Sequence, residues 1–161
     1  MSQPQPTISE DGKYYWDGTQ WLPRPVSMLV PAVIVIVGTV VVVLGEFLPW
    51  VTASSQFGVT VSLAGYQTDG IWLGGLAVLT AGFTVLGLLR DPSKFVVALL
   101  GLLAAAALVL LVWVGSEVGT ALKLTQVDLY TEQVGPGIFV SGAGVVVTLI
   151  GAIVAGVKVL L

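Results

Sequence analysis

The sequence predicts an all-α membrane protein, a bundle of four transmembrane helices with a small β-containing cap outside and a short aromatic tail inside. Three observations lead there. Hydrophobic residues make up 56% of the 161 residues and charged residues 9%, with a mean hydropathy of +1.00. Soluble domains carry about 25% charged residues, so six basic and nine acidic side chains cannot cover a water-facing globule of this size. Four uncharged apolar stretches, Val26–Gly45, Ile71–Leu89, Phe95–Val114 and Ile138–Val157, each have the roughly 20 residues that a helix needs to cross a hydrocarbon core of about 30 Å. The spans are read as 26–47, 71–89, 95–114 and 138–157, with outer loops 48–70 and 115–137. Residues 1–25 form the tail and 26–161 the membrane domain.

A soluble bundle would show a polar face at helical spacing. Val35–Leu44 and Phe95–Val114 are apolar all the way round. A lipid-facing barrel needs segments of about ten alternating residues, and these stretches do not alternate. Helices are expected despite the many valines, because in lipid a helix pairs its backbone polar groups within its own segment. Pro31 falls in the first turns of the first span, where a missing N–H costs little.

Basic residues set the expected orientation. Lys13, Arg24, Arg90, Lys94 and Lys158 fall on one side and only Lys123 on the other. This places both termini and the Arg90–Lys94 turn in the cytoplasm of a plasma membrane. Trp50, Trp72 and Trp113 are then expected at the outer interface. The polar start of the chain has no basic n-region and no small-residue cleavage pattern, so no secretory signal is expected.

In the tail, Asp17-Gly18 lies between Tyr14-Tyr15-Trp16 and Thr19-Gln20-Trp21, a hairpin signal. Tyr15, Trp16, Asp17, Gly18 and Trp21 are the candidate recognition residues, the alternative being an interfacial aromatic anchor. This segment, Glu10–Pro23, resembles the short YWDGxxW segment at the cytosolic ends of many actinobacterial membrane proteins. The resemblance implies a cytosolic tail attached to varied membrane partners and no catalytic residue. In the first outer loop Phe57, Val59, Val61 and Leu63 alternate with small residues, the period of a strand over 56–63, and Asp69 is placed to cap the second span. The second outer loop fits a helix face (Val118, Ala121, Leu122, Leu129) or a broken strand (Leu122, Leu124, Val127, Leu129). A Trp50-plus-strand loop between the first two spans is similar in topology to the claudin-like tetraspans, whose paired loop cysteines this chain lacks.

Twenty glycines point to helix packing, since small residues let backbones approach where lipid supplies no hydrophobic drive. Gly144, Thr148, Ala152 and Gly156 recur every four residues in the fourth span. Gly70 and Gly74 open the second, Ala77 and Ala81 continue beside them, and Gly101 with Ala105 marks the third. These rows serve either the bundle itself or a partner helix, with the second and fourth spans the better docking faces.

No site for chemistry is evident. There is no Cys and no His, which excludes disulfides and the usual zinc ligands. The acidic balance, with a net charge of −3, argues against nucleic-acid binding. Gly135-Pro136-Gly137 lacks the spacing of a phosphate loop. No catalytic, metal-binding or cofactor-binding residue is expected. Glu46 is expected at the outer boundary as a snorkelling or solvated carboxylate, the alternative being a partner contact or shallow site, and Asp69, Glu117, Asp128 and Glu132 as a solvated rim, the alternative being a weak cation-binding patch. The leading expectation is a non-catalytic accessory or structural subunit, or an assembly factor, of a larger membrane complex, with lipids and a membrane-protein partner or further copies of itself around it. The alternatives are an oligomeric transporter or channel subunit, with Ser27, Thr39, Thr80, Thr84, Ser141 and Thr148 as its only polar lining, and a membrane sensor whose tail recruits a partner.

Overall fold

The computed structural model describes residues 8–23, 27–55, 57–89, 94–124 and 130–160. Four long apolar helices dominate it: α1 (Leu29–Glu46), α2 (Gly70–Leu89), α3 (Lys94–Leu124) and α4 (Pro136–Leu160). Each is long and apolar enough to cross a membrane, as a multi-pass membrane protein requires. Five short strands accompany them: β1 (Tyr14–Trp16), β2 (Trp21–Pro23), β3 (Pro49–Ser55), β4 (Thr60–Ala64) and β5 (Tyr130–Val134).

The helices are not equivalent. In α1 and α4, 44% and 39% of the spanning window is buried by the rest of the chain, against 22% in α2 and 11% in α3. The centre of the bundle is therefore the α1–α4 pair, and α2 and α3 close around it. Along α1 the buried positions Pro31, Val35, Gly38, Val42 and Gly45 alternate in steps of four and three. Along α4 Gly137, Ser141, Gly144, Thr148, Gly151 and Ala155 do the same. This 3.5-residue period keeps one seam facing a partner helix.

The two seams run antiparallel in a fixed register. A Cβ on Gly45 would strike Ser141, one on Gly144 the backbone N of Val42, one on Gly38 Thr148, and one on Gly151 Val35. Two backbones approach this closely only where side chains are absent.

The four-residue row seen in the sequence divides between two neighbours. Gly144 and Thr148 face α1, whereas Ala152 packs with Leu100 and Ala104 of α3 and Gly156 lies nearest Val97. A step of four overshoots a turn of 3.6 residues by about 40°, so such a row winds off the seam. A Cβ on Gly101 would have open space. The α1 half of the seam, Gly38 and Gly45, was not singled out from sequence.

Other boundaries also differ from the sequence reading. The described part of α1 begins at Leu29. α3 runs 31 residues, about 46 Å at 1.5 Å per residue, so it overshoots the hydrocarbon and takes the first part of the expected outer loop as helix. β5 follows, so that loop is helix and then strand; Val127, Asp128 and Leu129 lie outside the described residues.

The strand expected over 56–63 is instead a hairpin. β3 and β4 pair antiparallel with Ser54 opposite Thr60, and the turn falls at Phe57-Gly58, where Gly58 has φ +80°. Phe57 is thus at the tip; Gln56 lies outside the described residues. β5 pairs antiparallel with β3, giving the order β4-β3-β5.

The α1–α4 contact predicts a graded response to glycine substitution. Gly38→Ala and Gly144→Ala should each lower bundle stability by about 1–3 kcal/mol, while Gly101→Ala should stay within about 0.5 kcal/mol of the parent. Reversible denaturation in detergent–lipid mixtures measures the difference, and equal losses at all three positions would refute the seam.

Candidate functional site

A buried polar junction lies where α1 ends, β3 begins and the N-terminal ends of α2 and α4 meet. α1 closes by tightening its last turn, with the N–H groups of Phe47 and Leu48 donating to the carbonyls of Leu44 and Gly45. This leaves Glu46 on the inner side and sends Pro49 and Trp50 back over the helix end.

Trp50 is completely buried, and its indole N–H donates to the Gly45 carbonyl at 3.2 Å. Gly65 lies against one part of its ring and Gly137 against another. Trp50 is therefore a core residue and not an interfacial ring as expected, because two glycines from other elements give the indole a slot of its own size. Trp72 and Trp113 are exposed. Gly135 donates its N–H to the Trp50 carbonyl at 2.7 Å, and α4 starts at the next residue, Pro136. The glycine-rich Gly135–Gly137 segment is thus a strand-to-helix turn, with Pro at the helical position where its missing N–H costs nothing.

Glu46 departs furthest from expectation. It is 4% exposed, where a solvated carboxylate was expected. Its Oε1 has the Ser141 hydroxyl at 3.3 Å, and that hydroxyl also lies 3.4 Å from the Val42 carbonyl. Its Oε2 has no hydrogen-bond partner among the described residues. Gly65 and Gly70 press on Oε2 so closely that a Cβ on either would collide with it, and Gly74 touches the side-chain stem. Gly70 and Gly74, expected to be a helix-packing pair, thus form the wall of the Glu46 site. The signal available in the sequence was the glycine pair opening α2, one step from an acidic residue at the end of another span.

The hydroxyls proposed as a pore lining are mostly spent within their own helices. Thr39, Thr80, Thr84 and Thr148 donate to carbonyls three or four residues earlier, as Ser and Thr commonly do in helices. Ser141 is the one that reaches another helix. Thr68, whose Oγ1 accepts from the Gly70 N–H at 3.4 Å and donates to the Gly65 carbonyl, occupies the capping role expected of Asp69. Among the described residues no three acidic side chains gather as a metal site would require.

The tail residues form a second small structure. β1 and β2 pair with Trp16 opposite Trp21, and Ile8 bridges to Tyr15. The Asp17 carboxylate accepts from the backbone N–H groups of Gln20 and Thr19 and from the Thr19 hydroxyl. Gly18 adopts φ +104°, which favours glycine. The two tryptophan rings meet at 5.6 Å. The Asp-Gly pair and the two tryptophans are thereby explained as the turn and clasp of a hairpin, with Tyr14 and Trp21 left exposed.

No protein-family model matches the chain, and no curated protein is significantly similar to it.

Two outcomes follow from this geometry. Glu46→Gln, which keeps the Ser141 contact and removes the charge, should preserve or raise thermal stability. Glu46→Ala, which empties the packed space beneath Gly65 and Gly70, should cost about 1–3 kcal/mol; equal losses for both would show that the carboxylate itself is required. In the tail, the Gln20 N–H foremost, then Thr19, hold the Asp17 carboxyl below its ordinary value. A carboxyl lowered on folding stabilises the hairpin above its unfolded pKa, and this is lost as pH falls through the lowered value. Tryptophan fluorescence of the tail should therefore be constant from neutral pH down to the usual carboxylate range and change below it, and Asp17→Ala should abolish that step.

Proposed function

We propose that the protein is a non-catalytic integral membrane protein acting as an accessory or structural subunit, or an assembly factor, of a larger membrane complex. The observation that carries this reading is the groove between α1 and α2. It is lined by Thr39, Val40, Val43, Leu44, Ala77, Val78 and Ala81 and has a volume of about 250 Å³. The small residues Ala77 and Ala81 set its depth, and small residues at a helix surface are what let another helix approach. The glycines of α4, by contrast, are occupied inside the bundle, so α2 and not α4 offers the docking face. The large unpacked surfaces of α2 and α3 agree with this reading.

The orientation proposed with it has the tail and both termini in the cytoplasm and the β4-β3-β5 sheet outside, from the distribution of basic residues. In support, Lys158 near the end of α4 donates to the Ser27 carbonyl just before α1 at 3.2 Å, so the two helix ends that share that side are tied together there.

A second reading is favoured by Glu46 alone. A buried acidic residue at the end of a span marks ion or proton pathways in many membrane proteins, and it supports a small transporter or channel subunit acting as an oligomer.

Ala81→Leu should fill the groove and strip co-purifying membrane proteins from the gently extracted chain while leaving its melting behaviour intact. Retention of the same partners would remove the groove from the account, and purification of the parent as a lone chain that passes ions or protons in vesicles would favour the second reading. For orientation, a cysteine placed at Ser54 should react with a membrane-impermeant maleimide on intact cells, and one at Thr19 only after permeabilisation. The reverse pattern would invert the topology.

A further inference from the structure

The β3–β4 hairpin is amphipathic, yet its apolar side is uncovered. By the register of the pair, Val51 and Ala53 share a face with Leu63 and Val61, while Thr52 and Ser54 share the other with Ser62 and Thr60. The apolar face is exposed at Val59, Val61 and Leu63, and Phe57 at the tip is 87% exposed. A contiguous apolar strip of this kind marks a binding surface.

Three observations identify what covers it. No charged residue occurs from Phe47 to Thr68, in a segment that would need charges if it faced bulk water. The tail hairpin of the same chain carries Glu10, Asp11, Lys13 and Asp17 within or beside its strands. Both ends of the β3–β4 hairpin are also fixed at the membrane: β3 starts three residues after α1 ends, and β4 passes through Gly65–Gln67 into α2. Finally, exposed side chains lie at the adjoining helix ends, with the Phe47 and Tyr66 rings tilted against each other at 5.7 Å and Ile71 and Trp72 at the start of α2. Aromatic side chains at this level are the interfacial belt of membrane proteins.

We propose that the tip and β4 strand of this hairpin lie on the bilayer surface, with Phe57, Val59, Val61 and Leu63 set into the lipid interface and Thr60 and Ser62 turned to water. The ligand is the lipid surface itself, held by apolar contact without a charge requirement. β5 pairs with the other edge of β3, so the contact belongs to the free β4 edge and the tip. Anchored in this way, the sheet is held at a fixed height beside the ends of α1 and α2.

The chain contains no cysteine, which makes site-specific labelling direct. Single cysteines at Phe57, Val61, Thr60 and Ser62, each carrying a polarity-sensitive fluorophore, would be compared in phosphatidylcholine nanodiscs holding one chain each. Labels at 57 and 61 should emit at shorter wavelength and lose intensity when spin-labelled phosphatidylcholine is included, while labels at 60 and 62 should emit as in water and keep their intensity. Adding Val61→Lys should move the label at 57 to water-like emission while the helical circular dichroism is unchanged. Water-like emission at all four positions would overturn the proposal. So would shielding at 57 and 61 that spin-labelled lipid does not quench, or that arises only when vesicles hold several chains, since the strip would then cover itself with protein.

Discussion

Close approach of α1 and α4 is the constraint on which the rest of the molecule depends. Lipid chains are as apolar as the helices they surround, so burying valine and leucine gains little, and association has to come from packing and from contacts between backbones. Gly38, Gly45, Gly144 and Gly151 remove the side chains that would hold the helices apart. The seam positions step by four and three on both helices, so one register satisfies contacts from Val35 against Gly151 to Gly45 against Ser141. Once this pair is fixed, α2 and α3 need only partial contact, and most of α3 stays on the outside.

The same seam explains the junction at the end of α1. Because α4 sits so near, Ser141 comes under the last turn of α1, and the Glu46 side chain lies between α4 and the start of α2. The chain then folds back through Trp50, whose ring is held between Gly65 and Gly137 and whose N–H bonds to Gly45. Helix seam, tryptophan slot and carboxylate site share residues, so a change in one is felt in the others. Burial of a polar group without a partner costs free energy, and Glu46 Oε2 has none among the described residues.

The four helices were legible in the sequence because length and unbroken hydrophobicity are sufficient signals when the solvent is lipid. The tail hairpin was legible through Asp17-Gly18, although Asp17 builds a four-residue connection and not the two-residue turn the pair suggests. What escaped were features set by distant contacts. Nothing local to Glu46 or Trp50 says that glycines 15 to 87 residues away will enclose them. The alternation at Phe57–Leu63 was real, but period alone does not say where a hairpin turns, and the turn at Gly58 is fixed by the strand Pro49–Ser55 that precedes it. A four-residue row of small residues suggests one face, whereas the helix period divides it between α1 and α3.

The functional reading rests on surfaces and not on chemistry: a groove at α1–α2, a charge-free hairpin and an aromatic tail, all carried by the α1–α4 pair. The most direct test of that pair uses the cysteine-free chain with Val42→Cys and Val145→Cys, buried positions of α1 and α4 that belong to one core cluster. Mild oxidation in native membranes should close a disulfide within a single chain, without chain-to-chain products. Failure to form it, or formation only between chains, would contradict the arrangement of α1 and α4 described above.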